Sequence, residues 1–125
     1  MRSAAAVWLM VGLSAGAARS QPPPAMTVGD LAQLCAGEDH VSRNACRIYI
    51  LGVTQGIAVG AQLSHSGSRA GPCVPPGVAA DTLEETIKRR LEKEVSRGPG
   101  SGNRDAAGLI GSALTTAFPC TRPAN

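Results

Sequence analysis

Apolar residues recur at three- and four-residue spacing in four separate stretches of the chain, the pattern of amphipathic helices rather than of strands. The first stretch carries Val28, Leu31, Leu34 and Cys35. Thr27 followed three residues later by Asp30 is a capping signature, so a helix begins there, and the polar stretch Gly37 to His40 ends it. Ser42 is placed to cap a second helix, from about Arg43 to Leu63, whose apolar positions are Ala45, Ile48, Tyr49, Val53, Ile57 and Leu63. Asp81 with Glu84 marks a third helix, in which Leu83, Ile87, Leu91 and Val95 recur every four residues. A fourth runs from about Arg104, with Leu109, Ile110, Ala113, Leu114, Ala117 and Phe118 as one apolar stripe until Pro119 stops it. The expected fold class is all-α, a small four-helix domain.

The connections are as informative as the helices. Ser64 to Gly71 is Ser/Gly-rich and reads as a loop, and Pro72, Pro75 and Pro76 keep the chain extended around Cys73. Ser96 to Asn103 holds Gly98, Pro99, Gly100 and Gly102, a composition that suits no regular structure and predicts a second exposed, flexible loop. In the second helix Gly52, Gly56 and Gly60 form a bare seam, which predicts close packing on another helix of the same fold or of a second subunit. Glu84 with Lys88 and Glu85 with Arg89 are acid-then-base pairs one turn apart, and Lys88, Arg89, Arg90 and Lys93 read as a solvated helix face.

The N-terminus adds a location. Arg2 followed by the apolar run Ala4 to Leu13 and a close of small residues reads as an export signal over residues 1–20, cleaved before Gln21, or before Ala18 after Ala15-Gly16-Ala17. The run is shorter than the roughly twenty apolar residues a membrane anchor needs. Residues 21–26 are a Pro-rich lead-in and residues 27–122 the helical domain. The net charge of +3 includes Arg2 and Arg19, so the mature chain is close to neutral. It keeps Tyr49 and Phe118 as its aromatic residues, and no basic face interleaved with aromatics is present, which argues against nucleic acid as a partner.

All four cysteines lie in the mature part, and an even count in an exported chain predicts two disulfides. Three connectivities are open to four cysteines. Cys35 ends the first helix and Cys46 lies in the first turn of the second, at the same end of a helical hairpin. Cys73 follows the far end of a helix about 30 Å long, at 1.5 Å per residue, which disfavours Cys46 with Cys73. The expected pairs are Cys35 with Cys46 and Cys73 with Cys120.

Nothing in the chain reads as catalytic machinery. His65 stands in a Ser/Gly loop with no acidic residue nearby to orient it, and paired cysteines are not nucleophiles. Cys35, His40 and Cys46 have the residue types of a zinc site but neither its spacing nor a fourth ligand. The Gly-x-Gly of residues 98–100 follows a helix rather than a strand, so no phosphate loop is expected, and no metal or cofactor.

The order of four short pieces resembles the Rap/Tai-type immunity proteins of type VI secretion amidase effectors. The pieces are Asp30-Leu31 with Leu34-Cys35; Cys46 with Tyr49-Ile50 and Gly52-Val53; Cys73-Val74-Pro75; and Ala113-Leu114 with Phe118-Pro119-Cys120. Together they span nearly all of the mature chain. The resemblance implies a periplasmic helical protein, often a homodimer, that occludes a peptidoglycan-cleaving amidase without catalysis or metal. The chain departs from the family between the third and fourth helices, where a His-Pro-containing segment is common and a Gly/Pro-rich one stands here. The expected partner-binding loop is that segment: Arg97, Gly98, Pro99, Gly100, Ser101, Gly102, Asn103 and Arg104. The alternative reading is a small structural or acid-stress chaperone-like periplasmic protein, which would expose apolar surface when subunits dissociate in acid.

Overall fold

Four helices follow one another in the computed structural model, which describes residues 24–64 and 71–120. They are α1 (Val28–Ala36), α2 (His40–Leu63), α3 (Ala80–Val95) and α4 (Ala106–Ala117), with a single 3-10 turn, Ser101–Asn103, before α4. No strand is present among the described residues. One isolated antiparallel bridge joins Thr27 to Asp105. The export signal, the start of the lead-in and His65 lie outside the described residues.

Helix starts follow the available side-chain acceptors. At α1 the Thr27 hydroxyl accepts the Asp30 amide at 3.2 Å while the Asp30 carboxylate accepts the Thr27 amide, so the expected capping box is formed. α2 starts at His40 rather than Arg43, because Asp39 accepts the Ser42 amide at 2.9 Å and takes the capping role assigned to Ser42. α3 starts at Ala80 with no side-chain cap, because the Asp81 carboxylate is held by Arg47 at 2.7 Å. α4 starts at Ala106 rather than Arg104, with Asp105 accepting the Gly108 amide at 2.6 Å. Arg104 is extended, since its carbonyl is bonded to the Val28 amide.

Both expected disulfides are present, Cys35–Cys46 with Cα atoms 5.0 Å apart and Cys73–Cys120 with Cα atoms 4.9 Å apart. The first sets the rotation of α2. With Cys46 turned to α1, the positions four, seven and eleven residues on, Ile50, Val53 and Ile57, turn inward with it. Ile48, two residues from Cys46 and so about 200° around the helix, points out and is 61% exposed. Leu63 is 69% exposed, and all of residues 58–63 are exposed. The apolar face expected for the second helix was therefore misplaced at Ile48 and Leu63.

The core is built from Val28 and Leu31 of α1, Cys46 and Ile50 of α2, Leu83, Ile87 and Leu91 of α3, and Ala106, Leu109, Ile110, Ala113 and Leu114 of α4. Ala117, expected in the α4 stripe, is exposed. A Cβ at Gly52, Gly56 or Gly60 would meet nothing within 4 Å, so no described part of the chain packs on the glycine seam. Packing of that seam on another helix of the same fold, one of the two options the sequence left open, is therefore not seen among the described residues.

Candidate functional site: the loop between the third and fourth helices

The buried series Leu83, Ile87 and Leu91 runs down the inner face of α3, and three residues further the same face carries a carboxylate, Glu94, only 2% exposed. Burial of a charge requires compensation, and two arginines supply it. The Arg104 guanidinium donates a 2.7 Å hydrogen bond to Glu94 Oε1. The Arg97 guanidinium lies 3.2 Å from Oε2, at ion-pair distance without hydrogen-bond geometry. The two ends of the 97–104 segment thus converge on one carboxylate. The hydrogen bond from Arg104 comes first in holding Glu94 below the usual glutamate range; burial opposes it, and the charges of Arg97, Arg104 and Arg90 reinforce it.

Between those ends the backbone is specified by glycine. Gly98 and Gly100 take φ of 119° and 91°, left-handed values that a Cβ disfavours. The Ser101 hydroxyl donates to the Gly98 carbonyl at 2.8 Å, and a 3-10 turn closes the segment. Gly102 then lies against Gly29 in the first turn of α1. The Val28 amide donates to the Arg104 carbonyl at 2.8 Å, and the Ala106 amide to the Met26 carbonyl at 3.0 Å. The sequence predicted a flexible, irregular loop here. The structure instead has a loop with a 3-10 turn and both ends anchored, because a buried carboxylate and the start of α1 provide partners that no local pattern announces. Pro99, Gly100, Asn103 and both arginines remain exposed at its tip and flanks.

Two recesses flank α3. An open, mostly apolar cleft of about 440 Å³ lies between α1 and α3, lined by Ala32, Cys35, Ala36, Leu91, Val95 and Ser96 with Lys88 and Glu92 at its edge. A shallower groove of about 240 Å³ lies between α3 and α4, lined by Arg89, Arg90 and Lys93 with Thr86, Ala113, Thr116 and Ala117.

A family model for Rap1a immunity proteins matches residues 27–120. The chain belongs to this family. No match to it is found among curated proteins. Membership in the Rap1a immunity family means immunity to a secreted effector, and with it the binding of a cognate effector. The matched span covers all four helices and all four cysteines, so the loop belongs to the family domain itself rather than to an appendage.

The residues singled out from sequence are distributed as follows. The eight loop residues Arg97 to Arg104 form one surface element, and the four cysteines form the two staples of the domain, one between α1 and α2 and one from residue 73 to the chain just after α4. His40 is the exposed first residue of α2, and no group of three or more histidine, cysteine or acidic side chains suited to a metal occurs among the described residues. No described helix is long and apolar enough to cross a membrane. Glu94 is the residue of this candidate site that sequence reading missed. The inward register of α3 reaches it and so could have placed it on the core face, but not the two arginines that meet it there.

Glu94→Gln is expected to lower the thermal midpoint by several degrees at neutral pH and to speed amide exchange at Val28 and Ala106, the donors of the bonds that anchor the loop's end. The pH dependence follows from the depressed folded pKa. The stabilisation from the Glu94 carboxylate is complete above the ordinary glutamate range and is lost as pH falls through the lowered value, when the folded state must take up a proton. Asp30 and Asp39, held low by hydrogen bonds from Thr27 and Ser42, share that acid limb. Melting curves from pH 3 to 7 should therefore show a partly flattened acid limb in the variant, and equal limbs would mean that Glu94 is not the anchor.

Proposed function

We propose that this protein is exported through the signal at residues 1–20 and, as the mature domain 27–122 with its lead-in, binds a peptidoglycan-cleaving amidase effector in the periplasm. It inhibits by occlusion and performs no catalysis of its own. The loop Arg97 to Arg104 enters the amidase cleft, and the observation that carries this reading is its anchoring: a Gly/Pro tip held out from the scaffold by Glu94 and by α1. A loop fixed before binding loses less conformational entropy on entering a cleft than a floppy one. Steric inhibition needs a shape that stays put, which two disulfides and paired loop ends provide.

The outward face of α2, with Val41, Ile48, Gly52, Gly56, Val59 and Leu63, supports pairing of two copies. Such a homodimer leaves the loop free, since the loop is held by α1 and α3.

The test is a pull-down of the oxidised mature protein with the product of a neighbouring amidase gene, followed by a peptidoglycan-cleavage assay. Tight binding that abolishes cleavage is expected. Replacing residues 97–104 with a Ser/Gly segment of equal length should weaken inhibition roughly 100-fold, the scale of losing ~3 kcal/mol from an interface centre. Binding without inhibition, or inhibition indifferent to the loop, would refute the occlusion reading.

A further inference from the structure

Charges along α3 are distributed unevenly. In its first half they are matched: Arg47 reaches Asp81 at 2.7 Å and Glu84 at 3.7 Å, Lys88 reaches Glu84 at 2.7 Å, and Arg89 lies 4.0 Å from Glu85. From Arg90 onward the balance changes. Arg90, Lys93, Arg97 and Arg104 meet one carboxylate in ion pairs, Glu94, which binds Arg97 and Arg104; the other two acids of this stretch are engaged elsewhere, Glu92 lining the α1–α3 cleft and Asp105 capping α4. Lys93 is exposed and makes no ion pair among the described residues, and Arg90 Nε is shielded from solvent with no hydrogen-bond partner. The side chains of Arg97 and Arg104 stay about half exposed, at 52% and 56%, while Glu94 is covered. A guanidinium carries five N–H donors, so one carboxylate leaves most of that capacity outward.

An ordinary solvated helix face would not be recessed. Here Arg89, Arg90 and Lys93 line a groove whose opposite wall, Ala113, Thr116 and Ala117, is made of short side chains. The Thr86 and Thr116 hydroxyls donate to the backbone carbonyls of Thr82 and Ser112, so the groove's outward donors are the cations themselves. Arg90, Lys93 and Arg97 recur at three- and four-residue spacing, and Ser96 keeps helical backbone angles, so the groove cations and Arg97 follow one side of α3 toward the loop.

We infer that the continuous cationic face from Arg90 and Lys93 in the α3–α4 groove to Arg97 and Arg104 on the loop is a docking surface for an acidic surface of the partner protein. Glu94 is its internal counter-charge, a positioning residue that holds the loop guanidinium groups in place without consuming their outward donors. The inference deepens the reading above and rests on it for the partner being a protein. Carboxylates on a folded surface suit this face because planar guanidinium forks bind them in bidentate fashion. Single-stranded nucleic acid would need aromatic platforms, and the face carries none. Anchoring in a lipid surface would need apolar side chains beside the cations, and the exposed ones are on α2 and at Val95.

The test has two arms. In the first, a deca-glutamate peptide is titrated into isotopically labelled oxidised protein at low salt and followed by amide shifts. The expected shifts cluster at residues 90–93 and 97–104, and Lys93→Glu, at an exposed position without an ion-pair partner among the described residues, should weaken the peptide at least threefold. Shifts centred on the matched half of α3, none at all, or tighter binding to phosphatidylglycerol vesicles than to the peptide would overturn the inference. In the second, the association rate with the amidase effector is measured against salt. Electrostatic steering predicts a fall of about tenfold on raising salt or on introducing Lys93→Glu, with the melting temperature of the variant unchanged. An amidase that is inhibited with neither dependence would sink this inference and leave the occlusion reading standing. Peptide binding on this face with no amidase inhibited would do the reverse.

Discussion

Cys73→Ser with Cys120→Ser is expected to destabilise the protein by about 4 kcal/mol, and Cys35→Ser with Cys46→Ser by about 3 kcal/mol, each measured by denaturant unfolding of the oxidised mature domain. The difference comes from the unfolded chain. A cross-link between residues 47 apart removes more disorder from the unfolded ensemble than one between residues 11 apart, and the cost grows with the logarithm of the loop. The longer bridge also ties a non-helical segment that otherwise rests on the core through Val74 and Val78. Residues 71–79 contain no helix, and Cys73 is placed by the disulfide together with its amide bond to the Phe118 carbonyl at 2.9 Å. For a domain of about a hundred residues, 4 kcal/mol corresponds to roughly 20 °C of melting temperature. Equal losses from the two double variants would mean that native packing around the bridges, rather than loop closure, sets their contribution.

Leu31→Ala is expected to cost about 3 kcal/mol, while Ile48→Ala costs less than about 0.5 kcal/mol. Leu31 is fully buried and, with Val28, is one of two core residues that α1 contributes. Truncation removes transfer energy and leaves a void that the neighbouring helices fill only in part. Because α1 is also the floor of the loop, through Val28, Gly29 and the Thr27–Asp105 bridge, the same variant should weaken protection of the Val28 and Ala106 amides. Ile48 is equally apolar and sits in an equally regular helix, but it faces outward. A large cost at Ile48 in the monomeric protein would contradict the rotation of α2 described above. A cost that appears only at high protein concentration would instead locate a subunit contact there.

These two substitutions separate what periodicity reveals from what it hides. In α3 the apolar set is narrow and its opposite face is charged, so Leu83, Ile87 and Leu91 could be assigned inward from sequence, and they are buried. In α2 apolar residues occur nearly all round, so spacing alone allowed several faces. The constraint that selects one is the Cys35–Cys46 bridge, which turns Cys46 inward and Ile48 outward. Helix boundaries erred for a related reason. Asp39, Asp81 and Asp105 all qualify as caps, and the one diverted from capping, Asp81, is the one that meets Arg47 from another helix.

Four helices, two disulfides and the position of the loop are legible along the chain. Each of these depends on local chemistry: caps, spacing, cysteine parity, and glycine and proline content. The state of the loop and the charge left on its face come from packing instead. Whether Arg97 to Arg104 hangs free or is anchored depends on Glu94 being buried where two arginines meet it, and on α1 offering amides and carbonyls to residues some eighty positions away in the chain. Distant charges and hydrogen-bonding groups become partners only when packing removes water and brings them together, so no reading along the chain could assign them.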